Sequence, residues 1–164
     1  INLENLLVHT RTISLATVTY SPTVILNTVK SLSYAANMES TRIARRKGAA
    51  DALLVTPDGM VLEAPTSTLF WVSEEGTLRT TGTEAGVLDS ITRGKIIERC
   101  TVELGFFPLA DVMNATEAFL ASTTREVQPV DSIDGHKIPT YPATRTLEAA
   151  AAFSEALAEG LASA

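Results

Sequence analysis

Apolar and β-branched residues dominate the stretch from Leu15 to Lys30, broken only by Ser21-Pro22, and this pattern predicts two strands flanking a turn. From Ser31 to Lys47 the period lengthens. Leu32, Ala35, Ala36, Ile43 and Ala44 fall near helical spacing, Arg45, Arg46 and Lys47 occupy the last turn, and Gly48 follows as a stop. Ala52 to Thr56 and Met60 to Glu63 flank Pro57-Asp58-Gly59, a hairpin signal in which Asp-Gly supplies the positive φ of a tight turn. Leu69 to Val72 and Leu78 to Thr80 repeat the arrangement around Glu75-Gly76. Asp89 or Ser90 can cap a helix from about Ile91 to Leu104, with Ile97, Cys100 and Leu104 on one face and Gly105 as its stop. Phe106 to Leu109 reads as a strand, Ala110 to Ala115 as a short helix, and Ala118 to Ser122 and Val127 to Ile133 as strands, the last turning at Asp134-Gly135. In the tail from Arg145 to Ala164, Leu147, Ala150, Phe153, Leu157 and Leu161 recur at spacings of three and four, which predicts a terminal amphipathic helix.

Composition narrows the class. At 164 residues and 45% hydrophobic content the chain suits one compact core rather than disorder. A net charge of −6, from 13 basic and 19 acidic residues, argues against a basic nucleic-acid surface. The single cysteine, Cys100, excludes an internal disulfide framework and a cysteine-based zinc site, and fits a reducing, cytoplasmic setting. No run reaches the roughly 18 apolar residues of a membrane span. Ile1 to Thr10 carries Glu4 and His9 in place of a signal peptide. His9 and His136 are isolated, so no metal site is expected.

Four places can carry chemistry. Lys30 ends an apolar run, where an amine can be desolvated toward a nucleophilic form or can be a solvated cap. Glu63 ends a hairpin strand and can face a cleft or solvent. Ser90-Ile91-Thr92 lies where a helix begins, as an anion cradle or as plain N-capping. Ser122-Thr123-Thr124-Arg125 offers three hydroxyls and a guanidinium in four residues, either as a phosphate or carboxylate donor set or as a hydroxyl-stabilised turn with an exposed arginine. The common phosphate-loop, dinucleotide and nucleophile-elbow motifs are absent.

These places belong to linked blocks. Val29-Lys30-Ser31-Leu32-Ser33-Tyr34-Ala35-Ala36-Asn37, Asp51-Ala52-Leu53-Leu54-Val55, Val61 to Phe70, Leu88-Asp89-Ser90-Ile91-Thr92-Arg93, Ser122 to Val130 and Ile133-Asp134-Gly135 occur in order. In that order and spacing the chain resembles the class IV, fold-type IV pyridoxal-phosphate enzymes, which are the branched-chain and D-amino-acid aminotransferases and the aminodeoxychorismate lyases. The resemblance covers roughly Pro22 to Leu147. It implies an α+β fold, the large domain of these enzymes, with a strand pseudo-barrel and helices packed outside. Residues 1–12 are then expected to be an interdomain linker remnant and 13–164 the C-terminal domain that binds pyridoxal 5'-phosphate, with the small N-terminal domain absent from this chain. The start at Ile1, without an initiator methionine, fits that expectation.

The same resemblance implies roles. Lys30 matches the lysine that forms the Schiff base with the cofactor and moves the proton, and Glu63 the carboxylate that keeps the pyridine nitrogen protonated. Leu88 matches the aliphatic residue against the ring face, and Ile91, Thr92 and Thr123 the phosphate ligands. Thr124 falls where phosphate or substrate carboxylate is met. Tyr34 lies one residue off the spacing of a tyrosine near the cofactor's phenolic oxygen. Arg125 stands where small residues are common, and is a candidate for the substrate carboxylate. Two departures are plain: Ala64-Pro65 replaces the usual Gly-Ser after the glutamate, and Ser90 replaces the usual glycine, with the acidic Asp89 before it. The implied activity is amino transfer between an amino acid and a 2-oxo acid, in a homodimer. Aminodeoxychorismate lyase chemistry and a catalytically silent large-domain fragment are the alternatives.

Overall fold

The computed structural model describes residues 11–22 and 28–162. Its strands are β1 (Ile13–Thr19), β2 (Asp51–Val55), β3 (Thr68–Val72), β4 (Leu78–Thr81), β5 (Glu103–Gly105), β6 (Glu117–Ser122), β7 (Glu126–Ile133) and β8 (His136–Lys137). The helices are α1 (Ala35–Arg46), α2 (Ile91–Arg99), α3 (Leu109–Met113) and α4 (Thr144–Ala162). One mixed sheet runs β2-β1-β7-β6-β3-β4-β5, with β8 pairing β7, and curls into a half-barrel.

The two central strands explain the curl and the layers. Every residue of β3 is buried, as expected of a strand covered on both faces. Leu69 and Trp71 turn inward to join Leu15, Leu53, Leu120 and Val130, and Phe107 meets Trp71 edge-on at 5.1 Å. Phe70 and Val72 turn outward, where Phe70 stacks on Phe119 of β6 at 5.1 Å and the pair packs against Ile96 of α2 and Phe153 of α4. The sheet is therefore a wall with α2 and α4 outside it. A third cluster joins Ala16 and Val18 of β1 and Ala52 and Leu54 of β2 to Ala44 of α1.

Several expectations hold in position. The β3–β4 hairpin forms, β7 turns into β8 through Asp134 and Gly135, both at positive φ as a two-residue hairpin turn requires, and α1 ends at its basic turn before Gly48. The Pro57-Asp58-Gly59 turn also forms, although Met60 and Val61 make isolated bridges rather than a strand. Of the second strand expected within Leu15–Lys30, residues 23–27 lie outside the described residues, and 28–30 are not strand: Thr28 is a turn residue at φ +63.

Other expectations need correction. The helix predicted to reach Leu104 stops at Arg99, and Glu103–Gly105 pairs in parallel with β4 instead. Cys100 is already extended, the β-branched Thr101-Val102 follows, and Arg79 meets Glu103 at 2.6 Å, so sheet pairing wins over helix extension. Gly105 is not a helix stop: a Cβ there would approach the Phe107 ring to 3.2 Å. The strand predicted at Phe106–Leu109 is the approach to α3, for which Pro108 is the N-cap. The buried stripe of α4 runs through the alanines Ala149, Ala150, Ala152 and Ala156 as well as Phe153, while Leu157 is exposed; Leu161 lies outside the described side chains. Small residues let α4 approach α2 and the sheet closely.

The entry of α4 is fastened from another element. Glu117, buried at the start of β6, accepts hydrogen bonds from the backbone N–H groups of Arg145 (3.2 Å) and Thr146 (2.8 Å) and from the Thr146 hydroxyl (2.8 Å). It supplies acceptors to a helix start that has none of its own. Glu117→Ala is expected to lower stability by about 2–4 kcal/mol, because it strands buried donors as well as removing charge-assisted bonds. Urea unfolding of the two proteins measures this, and a loss under 1 kcal/mol counts against the cap.

Candidate active site

Sheet register brings the candidate residues to one end of the wall. Thr68, the first residue of β3, pairs with Ala121 near the end of β6, so the segment entering β3 and the turn leaving β6 lie side by side. The start of α2 reaches the same end, where the hydroxyls of Thr68 and Ser90 lie 3.4 Å apart. The segment before α1 lines the same space. Between them is a cavity of about 610 Å³, lined by Lys30, Tyr34, Glu63, Leu88, Thr92, Thr123 and Thr124 among others. Seven of the nine candidate residues thus line one space, and Ile91 and Arg125 are not among its lining residues.

Lys30 lies in an irregular segment, since α1 begins only at Ala35, and its side chain is exposed at the cavity wall. Its Nζ donates to the Tyr34 Oη at 3.0 Å. Tyr34 is therefore a holder of the amine.

Glu63 enters from the arm of the Pro57-Asp58-Gly59 hairpin, whose backbone is registered on β2 by Leu54 N–H to Glu63 O at 2.9 Å. Its carboxylate is half-buried and accepts the Leu88 N–H at 3.0 Å. Burial pushes its pKa up to about 7, against the lowering pull of the Leu88 N–H and, further off, the charges of Arg93 and Lys30. The departure at Ala64-Pro65 is accommodated: Ala64 and Ser67 close a tight turn, and Ala64 is not among the residues at positive φ. Pro65 has no N–H to lose there, and its carbonyl accepts the Asn37 side-chain amide.

The second departure resolves similarly. Ser90 is the N-cap of α2 and accepts the Arg93 N–H at 3.2 Å. Asp89 does not cap but turns to the Arg93 guanidinium at 3.2 Å, which neutralises an anion beside the helix start. The first-turn N–H groups of Ile91 and Thr92 have no acceptor within the helix. Thr92 is buried and faces the cavity, whereas the Ile91 side chain is 80% exposed, so Ile91 can contribute only its backbone.

Arg125 departs from expectation. Its guanidinium donates to Asp51 at 2.6 Å and to the Gln128 side-chain oxygen at 2.7 Å, so it is engaged behind the turn rather than held out for a substrate carboxylate. Two residues escaped the sequence reading. Arg93 is buried, bonded to Asp89 and the Thr81 carbonyl, and its charge reaches Glu63; only the i,i+4 spacing from Asp89 hinted at it. Ser67 lines the cavity with a buried hydroxyl that has no partner, and nothing in its sequence context marks it.

An amine, a half-buried carboxylate and a helix start joined by hydroxyls in one cavity at the edge of a curled mixed sheet define a cofactor-type small-molecule site. The chain belongs to the amino-transferase class IV family, which matches residues 3–133. It is 34% identical over 115 residues to the D-alanine aminotransferase of Bacillus licheniformis, covering 67% of this chain and 40% of that protein. It is 28% identical over 137 residues to the bifunctional aminodeoxychorismate lyase / D-amino acid transaminase of Mycobacterium tuberculosis, covering 72% of this chain and 45% of that protein. The branched-chain amino acid aminotransferase of Thermobaculum terrenum in its PLP form superposes with a TM-score of 0.80 at 27% identity, covering 92% of this chain and 52% of that one. The chain thus spans less than half the length of these two curated relatives.

The family's cofactor is pyridoxal phosphate. The donor set fits it. Lys30 is an amine for an aldehyde, Glu63 a carboxylate for a ring N–H, and Thr92, Thr123 and the start of α2 are donors for a phosphate, with the unpartnered Ser67 hydroxyl one further polar group in the wall.

Glu63 should leave a signature in stability. Its folded pKa of about 7 lies above the ordinary value of 4.5, so the folded state takes up the proton first as pH falls, and Glu63 contributes stability that is gained as pH falls from 8 to 5. Glu63→Gln cannot titrate. In the absence of cofactor it should stabilise the protein relative to wild type by about 2 kcal/mol more at pH 8 than at pH 5. Urea midpoints at both pH values test this, and an equal effect at both would refute the raised pKa.

Proposed function

We propose that residues 13–164 are the pyridoxal-phosphate-binding large domain of a transaminase, which moves an amino group between an amino acid and a 2-oxo acid. The observation that carries this reading is the convergence of Lys30 and Glu63 on one cavity with the hydroxyl-rich cradle. Lys30 would hold the cofactor at its aldehyde through Nζ, and, once the substrate's own amine has taken its place there, the freed amine would carry the substrate's α-proton. Tyr34, accepting from Nζ, fixes where the amine rests. Bound pyridoxal phosphate supplies a sink for the electron pair left on the substrate α-carbon. Glu63 holds the proton of the ring nitrogen in place, and the cationic partner in turn favours its ionised form despite the burial that raises its pKa. Leu88 packs on the ring face, with Glu63 anchored to its N–H. Ile91 (through its backbone), Thr92 and Thr123 hold the phosphate, and Thr124 meets phosphate or substrate carboxylate.

Val29 and Leu32, exposed beside Lys30 at 56% and 95%, support a homodimer in which this apolar face is covered. A lyase that releases pyruvate and leaves 4-aminobenzoate is a second reading, favoured by the bifunctional relative from Mycobacterium tuberculosis. A chain that spans 40–45% of the curated relatives also admits a silent fragment.

The expected outcome is a visible absorption band on adding pyridoxal phosphate to the wild type, lost in Lys30→Ala. No band in either protein supports the silent fragment, and a band that survives Lys30→Ala refutes the role of Lys30. Given the band, amino transfer to 2-oxoglutarate against pyruvate release from aminodeoxychorismate separates transaminase from lyase.

A further inference from the structure

Asp51 is 3% exposed, the first residue of β2, and both of its carboxylate oxygens are engaged. One oxygen accepts the Thr41 hydroxyl of α1 at 2.8 Å and the Ala52 N–H at 2.9 Å, and the other accepts Arg125 at 2.6 Å. Arg125 is the third residue of the β6–β7 turn that begins after Ser122; its own N–H donates to the Ser122 hydroxyl at 3.2 Å, and its second guanidinium nitrogen reaches Gln128 on β7 at 2.7 Å. Gln128 then donates to the Arg11 carbonyl at 2.8 Å, tying in the chain that enters β1. The turn closes on Glu126 at φ +54, a left-handed conformation that a glutamate adopts only when its surroundings hold it there.

Asp51 therefore joins two walls of the cavity. Through Thr41 it grips α1, whose N-cap is Tyr34, four residues after Lys30. Through Arg125 it grips the turn that presents Thr123 and Thr124. We infer that Asp51 and Arg125 are positioning residues that set the separation between the Lys30 wall and the anion-binding turn. A buried, bidentately used carboxylate suits this task, because a charge-assisted bond at 2.6 Å tolerates little displacement. A ligand that touches both walls at once depends on the clamp, whereas a ligand that touches one wall does not.

The inference rests on the proposed cofactor reading, and the experiment keeps the two apart. Pyridoxal phosphate would meet both the Lys30 wall and the turn that presents Thr123 and Thr124; pyridoxal, lacking the phosphate, would still meet Lys30, Glu63 and Leu88 but not that turn. Affinities of both are measured by absorbance and fluorescence titration in wild type, Arg125→Met, Arg125→Lys, Thr41→Val and the neutral double variant Asp51→Asn/Arg125→Met, with a urea midpoint for each. The expected result is a loss of about tenfold or more in pyridoxal phosphate affinity for Arg125→Met and the double variant, of the size of one lost charge-assisted contact, with pyridoxal changed by less than about twofold. Arg125→Lys and Thr41→Val, the mildest changes, should fall between these and wild type. Equal losses for both ligands, or no change in their ratio in variants that keep their urea midpoint, would overturn the clamp. Absence of a Lys30-dependent band in wild type would instead overturn the cofactor reading itself.

Discussion

The antiparallel pairing of β3 with β6 is the constraint on which the rest depends. Both strands are covered on both faces, so their register is fixed by burial: a slip of one residue would exchange the Leu69/Trp71 face for the Phe70/Val72 face and disrupt two packed clusters at once. That register places the beginning of one strand beside the end of the other. The loops there, Glu63 to Ser67 and Thr123 to Arg125, come from parts of the chain some sixty residues apart, yet they form adjoining walls. The outer helices follow from the same pairing. α2 and α4 cover the outward face, and the start of α2 is carried to the cavity as a result.

Around the cavity the fold tolerates charges in unfavourable places because each is answered from a different element. Glu63 is raised toward neutrality by burial, yet a backbone N–H and two cations restrain the shift. Arg93 is buried with Asp89 and a carbonyl as partners, although its Nε has none. Asp51 is buried with three donors. Such groups are poor stabilisers, since desolvation offsets much of their attraction, but removing one partner leaves an uncompensated charge. Rigid placement is what they contribute. Here it is delivered around a cavity lined by groups from several elements.

Much of this organisation was legible along the chain. The Asp-Gly turns, the basic end of α1 and the Ser90 cap are local matters, decided within a few residues, and they appear where the pattern puts them. The errors fall where distant strands compete with local preference. The stretch from Cys100 to Gly105 carries helical spacing, but the edge of β4 offers hydrogen bonds and a partner for Glu103, and the chain extends. The last helix was readable as amphipathic, but its alanines rather than its leucines turned inward, because the neighbouring α2 leaves little room.

The candidate site divides along the same line. Sequence by itself marked out the candidates for chemistry, since Lys30, Glu63, Thr92 and Thr123 stand out by type, spacing and family pattern, and the structure brings all four to one cavity. It also made Arg125 look like a ligand for anions, because a guanidinium beside hydroxyls reads that way in one dimension. Only the tertiary structure decided that Asp51, some seventy residues away along the chain, takes that guanidinium. The physical reason is that a charge is assigned by what is nearest in space, and neither the burial of Asp51 nor its approach to the turn exists until β1, β2 and β7 have paired.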